Sequence, residues 1–188
     1  MNQSWRIPAE VEKSFRDALG HASKRRLSEL HGLLEELPEG QLVGAAGLCG
    51  LASAYTAIDV VERRWPTDDG LRRIAAKTVE GNNPDEQFGV TEENLYLWLA
   101  QCALGFNAYS EVFKDRFTDK HTFLAAPFFF TINVLATFSP KSKSVWEFLD
   151  SIENAYEAAS LLDLNLLPAL MVRARMPQPN QNPNGASS

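Results

Sequence analysis

The chain has 188 residues, of which 45% are hydrophobic and 22% are charged. This composition is that of a soluble globular protein, and it excludes a disordered, collagen-like or disulfide-scaffold chain. The formal net charge of −6 argues against free duplex nucleic acid or an anionic membrane surface as the main partner.

The chain is expected to form one domain followed by a short tail. A domain contains about 150 residues, so the chain has room for one. Residues 177–188 carry no charge and no aromatic side chain, and an alanine is their only aliphatic residue. Such a segment buries too little apolar surface to become ordered. We therefore predict an all-helical globular domain over 1–176 and a disordered Pro/Asn-rich tail over 177–188.

The first part of the chain is predicted to form three helices separated by proline and glycine. Pro8 suits the first position of a helix, and apolar residues follow it at helical spacing. Ser23 is positioned to cap the second helix, whose leucines recur every three or four residues. The third helix is expected over about 41–65, and Pro66 ends it.

The rest of the chain is predicted to form the remaining helices. Thr67 and Thr91 are positioned as caps, each followed by two acidic residues in the first helical turn. The helix after Thr91 is apolar on nearly all sides, so we expect it to be the buried central helix. A helix capped by Thr118 follows it. The residues from Ser144 to Glu147 then have the pattern of a capping box, which predicts the start of the last long helix.

No convincing pair of alternating strands is present, so the fold class is predicted to be all-α. We expect a single-domain bundle of about six to eight helices around a buried central helix. Two uncharged segments, 42–58 and 122–138, approach the roughly 20 apolar residues of a membrane span. Polar, glycine or proline residues interrupt both, and we interpret them as buried core helices. The amino terminus does not have the pattern of a secretory signal, so we expect a cytoplasmic protein with no membrane partner. A membrane association through the two uncharged segments is the minor alternative.

The sequence contains no motif for metal, cofactor or covalent chemistry. The histidines His21, His31 and His121 form no HExxH motif, and their spacing does not show whether they converge in space. Cys49 and Cys102 lie in apolar runs and are interpreted as core residues of a protein in a reducing compartment. No P-loop, GxSxG or SxxK motif is present. We therefore predict no metal, no cofactor and no catalytic residue, and favour a non-enzymatic role.

Three glycines recur at intervals of three residues in the third helix: Gly44, Gly47 and Gly50. This spacing leaves a shallow groove along one side of the helix, where a second helix can approach closely. A helix crossing within the chain is the favoured interpretation. A homodimer formed through this face is the alternative.

Acidic residues are concentrated in two stretches that lack lysine and arginine, 78–113 and 144–172. Such segregation produces a field that steers a partner of opposite charge. We therefore predict a protein partner with a basic surface, and no nucleic acid. The residues expected to bind it are Glu80, Asp85, Glu86, Glu92, Glu93, Glu147, Asp150 and Glu157.

Most of the aromatic residues lie between positions 88 and 156. They form either plain core or the lining of an apolar pocket between the helices of this half of the chain. The candidate pocket residues are Trp98, Phe106, Phe129 and Trp146.

Three functions follow from these patterns, in this order. The first is a non-enzymatic protein-interaction domain, acidic and helical, such as an immunity or antitoxin-like protein that neutralises a basic partner. The second is a helical small-molecule-binding protein or enzyme with an aromatic-lined apolar pocket. The third is a self-associating regulatory protein that uses the glycine face.

Overall fold

The computed structural model describes residues 6–63, 66–82, 88–104, 116–117 and 119–162. These residues form seven α-helices and no β-strand, which confirms the predicted all-α class. The helices are α1 (Ala9–Ser23), α2 (Leu27–Glu36), α3 (Glu39–Tyr55), α4 (Asp68–Asn82), α5 (Glu92–Leu104), α6 (Lys120–Phe138) and α7 (Val145–Leu162). A π-helical segment, Thr56–Glu62, continues α3. The predicted tail over 177–188 lies outside the described residues.

Three of the predicted helix caps are present. Thr67 Oγ1 accepts the backbone N–H three residues further on at 3.1 Å, and Thr91 Oγ1 does the same at 3.2 Å. The backbone N–H of Ser144 donates to Glu147 Oε2 at 2.7 Å, and the N–H of Glu147 donates back to Ser144 Oγ at 3.2 Å. These bonds satisfy N–H groups that the first turn of a helix leaves without partners.

The predicted cap of the second helix is wrong. The hydroxyl of Ser23 donates to the carbonyl of Gly20 at 2.9 Å, inside the last turn of α1. Helix α2 begins after Arg26, and no side chain caps it. Helix α1 extends past Gly20 to Ser23, so the serine expected to begin α2 completes α1.

Helix α6 occupies the centre of the fold and contacts each of the other six helices. Residues 125–132 are all buried, including the consecutive Phe128, Phe129 and Phe130. A helix can bury three successive side chains only when neighbours cover it on several sides. Pro127 lies within α6 without ending it. The helix predicted to be central was α5, which is buried but packs mainly against α4 and α3. A helix that is apolar on nearly all sides is expected to be buried, but this pattern does not show where in the bundle it lies.

Among the residues that the structure describes, two helices are long and apolar enough to cross a membrane by length and composition: Glu39–Glu62 and Lys120–Phe138. Each has a mean hydropathy of 1.4 in its most apolar window, and 56% of that window is buried inside the protein. The core helix of a soluble protein passes the same test, so this finding does not locate the protein in the cell.

Candidate functional site

A groove opens between the end of α1, the middle of α6 and the start of α7. It has a volume of about 240 Å³. Its apolar walls are formed by Ala22, Phe129, Ile132, Val145 and Trp146. We refer to this cavity as the Trp146 groove.

The inner wall of the groove is supplied by α6. Phe129, Ile132, Asn133 and Ala136 line it, and their spacing places them on one face of the helix. The ring of Phe129 stacks on Phe88 with the two centroids 4.4 Å apart. The inner wall is therefore anchored by the central helix and by a pair of buried rings.

The outer wall is Trp146, which is 38% exposed. Among the described residues, Val43 is the other exposed large hydrophobic side chain. Trp146 lies in the first turn of α7, inside the capping box of Ser144 and Glu147. The indole is therefore presented to solvent from a backbone position that two hydrogen bonds hold.

A second, polar depression of about 220 Å³ adjoins the groove and shares Trp146 with it. Its other walls include Arg16, Asp17, His21, Lys24 and Arg26. The carboxylate of Asp17 lies 2.5 Å from Lys13 Nζ, so its charge is already balanced. Lys24 and Arg26 are exposed, and neither forms an ion pair in the described part of the chain. The depression therefore carries surplus positive charge.

The turn between α1 and α2, residues 24–26, supplies most of this charge, and we refer to it as the basic turn. The N–H of Arg26 donates to the carbonyl of His21 at 3.0 Å, as in a Schellman motif. The left-handed position of the turn is occupied by Arg25, with a φ of 57°, where glycine is the usual residue. Arg25 also lines the Trp146 groove, which places a cation at the edge of an apolar cavity.

The structure brings together two of the four predicted pocket residues, Phe129 and Trp146. Trp98 lies elsewhere in the core: its Nε1–H donates to Ser53 Oγ at 2.9 Å, and its ring packs near Phe130. Phe106 lies outside the described residues. The contribution of Arg25 was missed, because a run of three basic residues does not reveal which of them adopts the left-handed conformation.

The predicted acidic residues of α7 make bonds within the chain. Glu147 belongs to the capping box, and the backbone hydrogen bond it accepts there is the largest cause of its lowered pKa. Asp150 Oδ1 lies 2.7 Å from Arg16 Nη2. Glu157 Oε1 accepts the backbone N–H of Ile7 at 3.2 Å. Through Asp150 and Glu157, the acidic residues of α7 hold this helix against α1 and the amino-terminal segment.

The other predicted acidic segment is more accessible. Glu80 and Glu92 are exposed and form no ion pair with the described residues. Glu93 lies 3.7 Å from Arg72 and 3.9 Å from Arg116. Two of the predicted acids are outside the described residues: Asp85 and Glu86. This segment belongs to the α4–α5 pair, whereas the α7 acids lie beside α1.

Two of the three histidines converge. The rings of His31 and His121 have centroids 5.4 Å apart, and His121 Nδ1 lies 2.9 Å from Glu35 Oε1. His31 Nε2 is buried without a hydrogen-bond partner in the described structure. His21 lies apart from them, in the polar depression. In the described residues no three His, Cys, Asp or Glu side chains are arranged to hold a metal ion.

At one end of the glycine face of α3, another helix of the same chain packs closely against it. A Cβ added at Gly44 would lie 2.7 Å from Val11 Cγ1, so α1 crosses α3 closely there. A Cβ at Gly50 would lie 3.6 Å from Cys102 Sγ, an ordinary contact. A Cβ at Gly47 would meet nothing within 4 Å. The intramolecular crossing therefore occurs at Gly44, and the homodimer stays a prediction.

No family model, curated protein or solved structure matches the chain. Its function is therefore argued below from the geometry of its own residues.

Proposed function

We propose that this protein is a non-enzymatic binding protein that takes a small, largely apolar ligand in the Trp146 groove. The observation that carries the proposal is a preformed groove with apolar walls and a polar rim, whose outer wall is an exposed tryptophan. Small-molecule sites are concave and mostly apolar, with a few polar groups that orient the ligand. Of the candidate functions, this is the one that the geometry supports best.

The size of the groove favours a ligand with about one ring. A cavity of about 150 Å³ lined by aliphatic and aromatic side chains is enough to bind benzene. The Trp146 groove, at about 240 Å³, offers room for one ring with a short substituent. It is smaller than the roughly 300–1,000 Å³ of sites for larger ligands.

The lining of the groove favours binding over catalysis. Among the described residues around it, Arg25 is the one titratable group. General acid–base chemistry needs a group that gains and loses a proton near neutral pH, and an arginine does not. The two cysteines are buried and form no disulfide in the described structure, which supports our proposal that the protein works in the cytoplasm.

The test is ligand-observed NMR with a neutral single-ring compound, benzyl alcohol, on the full chain. We expect saturable millimolar binding that Trp146→Ala abolishes. The matched control is Val43→Ala, which removes the other exposed hydrophobic side chain and should leave binding unchanged. A second variant, Ala136→Phe, fills the groove from its exposed rim and should also block binding. Equal binding by all four proteins, or no binding of neutral or charged single-ring compounds, would refute the proposal.

The second candidate function is an interaction with a basic protein, of the immunity or antitoxin kind. The observation that favours it is the exposure of Glu80 and Glu92 without ion pairs in the described structure. The acids of α7 are less suitable probes, because removing Asp150 or Glu157 also breaks bonds that hold the fold.

A pull-down from the native source at low and moderate salt tests this second candidate. A stoichiometric basic partner that dissociates as salt rises would support it. Glu80→Gln combined with Glu92→Gln should then slow association and weaken its salt dependence. If the pair of substitutions changes neither, this surface is not the interface.

A further inference from the structure

We propose that a divalent transition-metal ion such as Zn²⁺ binds between the imidazoles of His31 and His121 and fastens α2 to α6. Glu35 would orient His121, and water would complete the coordination of the ion. These three residues do not line the Trp146 groove, so the site is independent of the proposed function.

The first argument is the separation of the two imidazole rings. Their centroids are 5.4 Å apart, and their planes are tilted by 42°, so the rings do not form a parallel stack. Zn²⁺ binds an imidazole nitrogen at about 2.0–2.1 Å. Two imidazoles on one tetrahedral ion therefore have their centroids roughly 5 Å apart. Helices α2 and α6 thus already hold the two rings at the spacing that a shared metal ion requires.

The second argument is the state of His31. Its Nε2 atom is buried and has no hydrogen-bond partner in the described structure. A buried polar atom without a partner costs free energy, and such an atom can mark the place of an ion. The nitrogen of a neutral imidazole is a common metal ligand. A metal ion would therefore supply the partner that this nitrogen lacks.

The third argument is the contact of His121 with a carboxylate. His121 Nδ1 lies 2.9 Å from Glu35 Oε1, which is hydrogen-bonding distance. A histidine that binds a metal ion usually donates its other ring N–H to such a group, which fixes the ring and makes the ligating nitrogen more basic. This contact leaves Nε2 of His121 for the metal ion. Glu35 follows His31 by four residues on α2, so one face of this helix supplies a ligand and the residue that orients the other ligand.

The type of ligand decides the class of ion. Imidazole suits Zn²⁺ and its neighbours among the transition metals, whereas Mg²⁺ and Ca²⁺ prefer oxygen ligands. Two imidazoles are fewer protein ligands than the three or four of catalytic and structural zinc sites. This number agrees with the finding that no three metal-binding side chains converge among the described residues. We therefore expect an exchangeable ion with water in its remaining positions.

The ion would act on the attachment of α2. This helix packs mainly against α1 and α6. No side chain caps its start, and its two buried residues are Leu30 and Leu34. A metal ion that binds the folded chain better than the unfolded chain stabilises the fold. An ion between His31 and His121 should therefore fasten α2 to the central helix.

The experiment titrates Zn²⁺ into the full, metal-free chain and follows binding by calorimetry and stability by the melting temperature. We expect saturable binding of one ion per chain. At a Zn²⁺ concentration of about 100 times the Kd, the melting temperature should rise by roughly 5–10 °C. A chelator should reverse this rise. Mg²⁺ at the same concentration should not produce it, because a site built from imidazoles does not favour a hard cation.

Substitution of the histidines tests the two ligands. The side chain of His121 is 50% exposed, so His121→Gln should keep the fold while the affinity for Zn²⁺ falls at least about tenfold. His31→Gln should have the same effect on affinity. The matched control is His21→Gln, at the third histidine of the chain, which lies in the polar depression. This variant should bind Zn²⁺ as the unaltered protein does.

A second pair of variants tests the role of Glu35. Removing the carboxylate that orients a metal-binding histidine costs about 10–100-fold in metal affinity, so Glu35→Gln should weaken Zn²⁺ binding by at least about tenfold. The matched control is Glu36→Gln, at the next residue of α2. Glu36 is exposed and forms no ion pair with the described residues, so this variant should leave the affinity unchanged.

Each outcome has a defined meaning. No saturable binding of Zn²⁺, or equal binding by the three histidine variants, overturns the site. Binding that requires both His31 and His121 but is unchanged by Glu35→Gln overturns the role of Glu35. Binding without a rise in the melting temperature overturns the fastening of α2. All these results leave the proposed function standing, since its test with benzyl alcohol is made without metal.

Discussion

The indole Nε1–H of Trp98 in α5 donates a hydrogen bond to Ser53 Oγ in α3 at 2.9 Å. Both residues are buried. Ser53 Oγ lies 3.1 Å from Thr131 Oγ1 in α6, and Thr131 donates to the carbonyl of Cys49 at 3.2 Å. A polar chain therefore connects three helices across an otherwise apolar core, and it explains why Trp98 is not available to the groove.

The first prediction concerns this chain. Ser53→Ala leaves the indole N–H of Trp98 buried without its acceptor, and it should lower the free energy of unfolding by roughly 1–3 kcal/mol. Combining it with Trp98→Phe removes the unsatisfied donor, so the double variant should lose less than the sum of the single changes. Urea denaturation followed by circular dichroism measures both. The control is Ser23→Ala at an exposed serine, expected within about 0.5 kcal/mol of the unaltered protein. A similarly small effect of Ser53→Ala would contradict the prediction.

The sequence predicts local features of this fold better than its packing. The caps at Thr67, Thr91 and Ser144 were predictable, because each joins atoms only three residues apart. The central position of α6 was not, since α5 and α6 are both apolar on nearly all sides and sequence pattern does not order buried helices. The sequence could not predict that Trp146 is exposed and Trp98 is buried, because neighbours distant in the chain decide the exposure of each indole.

The second prediction concerns Arg16 and Glu153, which form an ion pair between α1 and α7. Burial raises the pKa of Glu153, and Arg16 opposes that rise. Glu153 Oε1 is buried without a hydrogen-bond partner in the described structure. Arg16→Met would leave the Glu153 carboxylate without its cation. We therefore expect the free energy of unfolding to fall by roughly 2 kcal/mol at pH 7. This loss is smaller than that for a fully buried pair, because Arg16 is partly exposed.

This loss should depend on pH. The pKa of Glu153 is higher in the folded than in the unfolded protein, so its contribution to stability is full below the unfolded pKa and is lost as pH rises through the folded pKa. Arg16→Met raises the folded pKa further, so its cost should shrink toward pH 4 as Glu153 takes up a proton. Urea denaturation at several pH values measures this. Lys13→Met, which removes the exposed pair with Asp17, should change stability by less than about 1 kcal/mol. A cost of Arg16→Met that is constant with pH would refute the assignment.

The third prediction concerns Tyr156, which is 1% exposed. Burial raises the pKa of its phenol to about 12, against about 10 in an unfolded chain. Because the folded protein retains this proton longer, the contribution of Tyr156 to stability is lost as pH rises from about 10 to about 12. The pKa values of Tyr55 and Tyr96 are also raised, so absorbance at the phenolate band should show Tyr156 as the step at about pH 12, and Tyr156→Phe should remove that step. A late step that persists in the variant would assign it to another tyrosine.

The glycine spacing in α3 predicted that a helix crossing occurs, but not the glycine at which it occurs. Spacing of three residues predicted a close helix crossing, and α1 does cross α3 closely at Gly44. The same spacing could not distinguish Gly44 from Gly47, because the difference depends on where Val11 of α1 lies. Gly47 keeps open space beside it.

The fourth prediction compares these two glycines as a matched pair on one helix. Alanine favours a helix interior over glycine by roughly 0.5–1 kcal/mol. The methyl group added by Gly47→Ala contacts no neighbour, so this variant should raise the free energy of unfolding by about that amount. Gly44→Ala gains the same preference but places its Cβ 2.7 Å from Val11 Cγ1, and overpacking of this kind costs roughly 1–3 kcal/mol. It should therefore be destabilising on balance, and adding Val11→Ala should relieve the clash.

Chemical denaturation at two protein concentrations completes this comparison. If the Gly47 side of α3 is open to solvent, Gly47→Ala should raise stability by the same amount at both protein concentrations. If Gly47→Ala instead lowers stability, and does so more at high concentration, the added methyl group disrupts a contact between copies of the chain, since association makes stability depend on concentration. In that case the homodimer expected from the glycine spacing would be supported, with Gly47 as its centre and Gly44 reserved for the crossing within each chain.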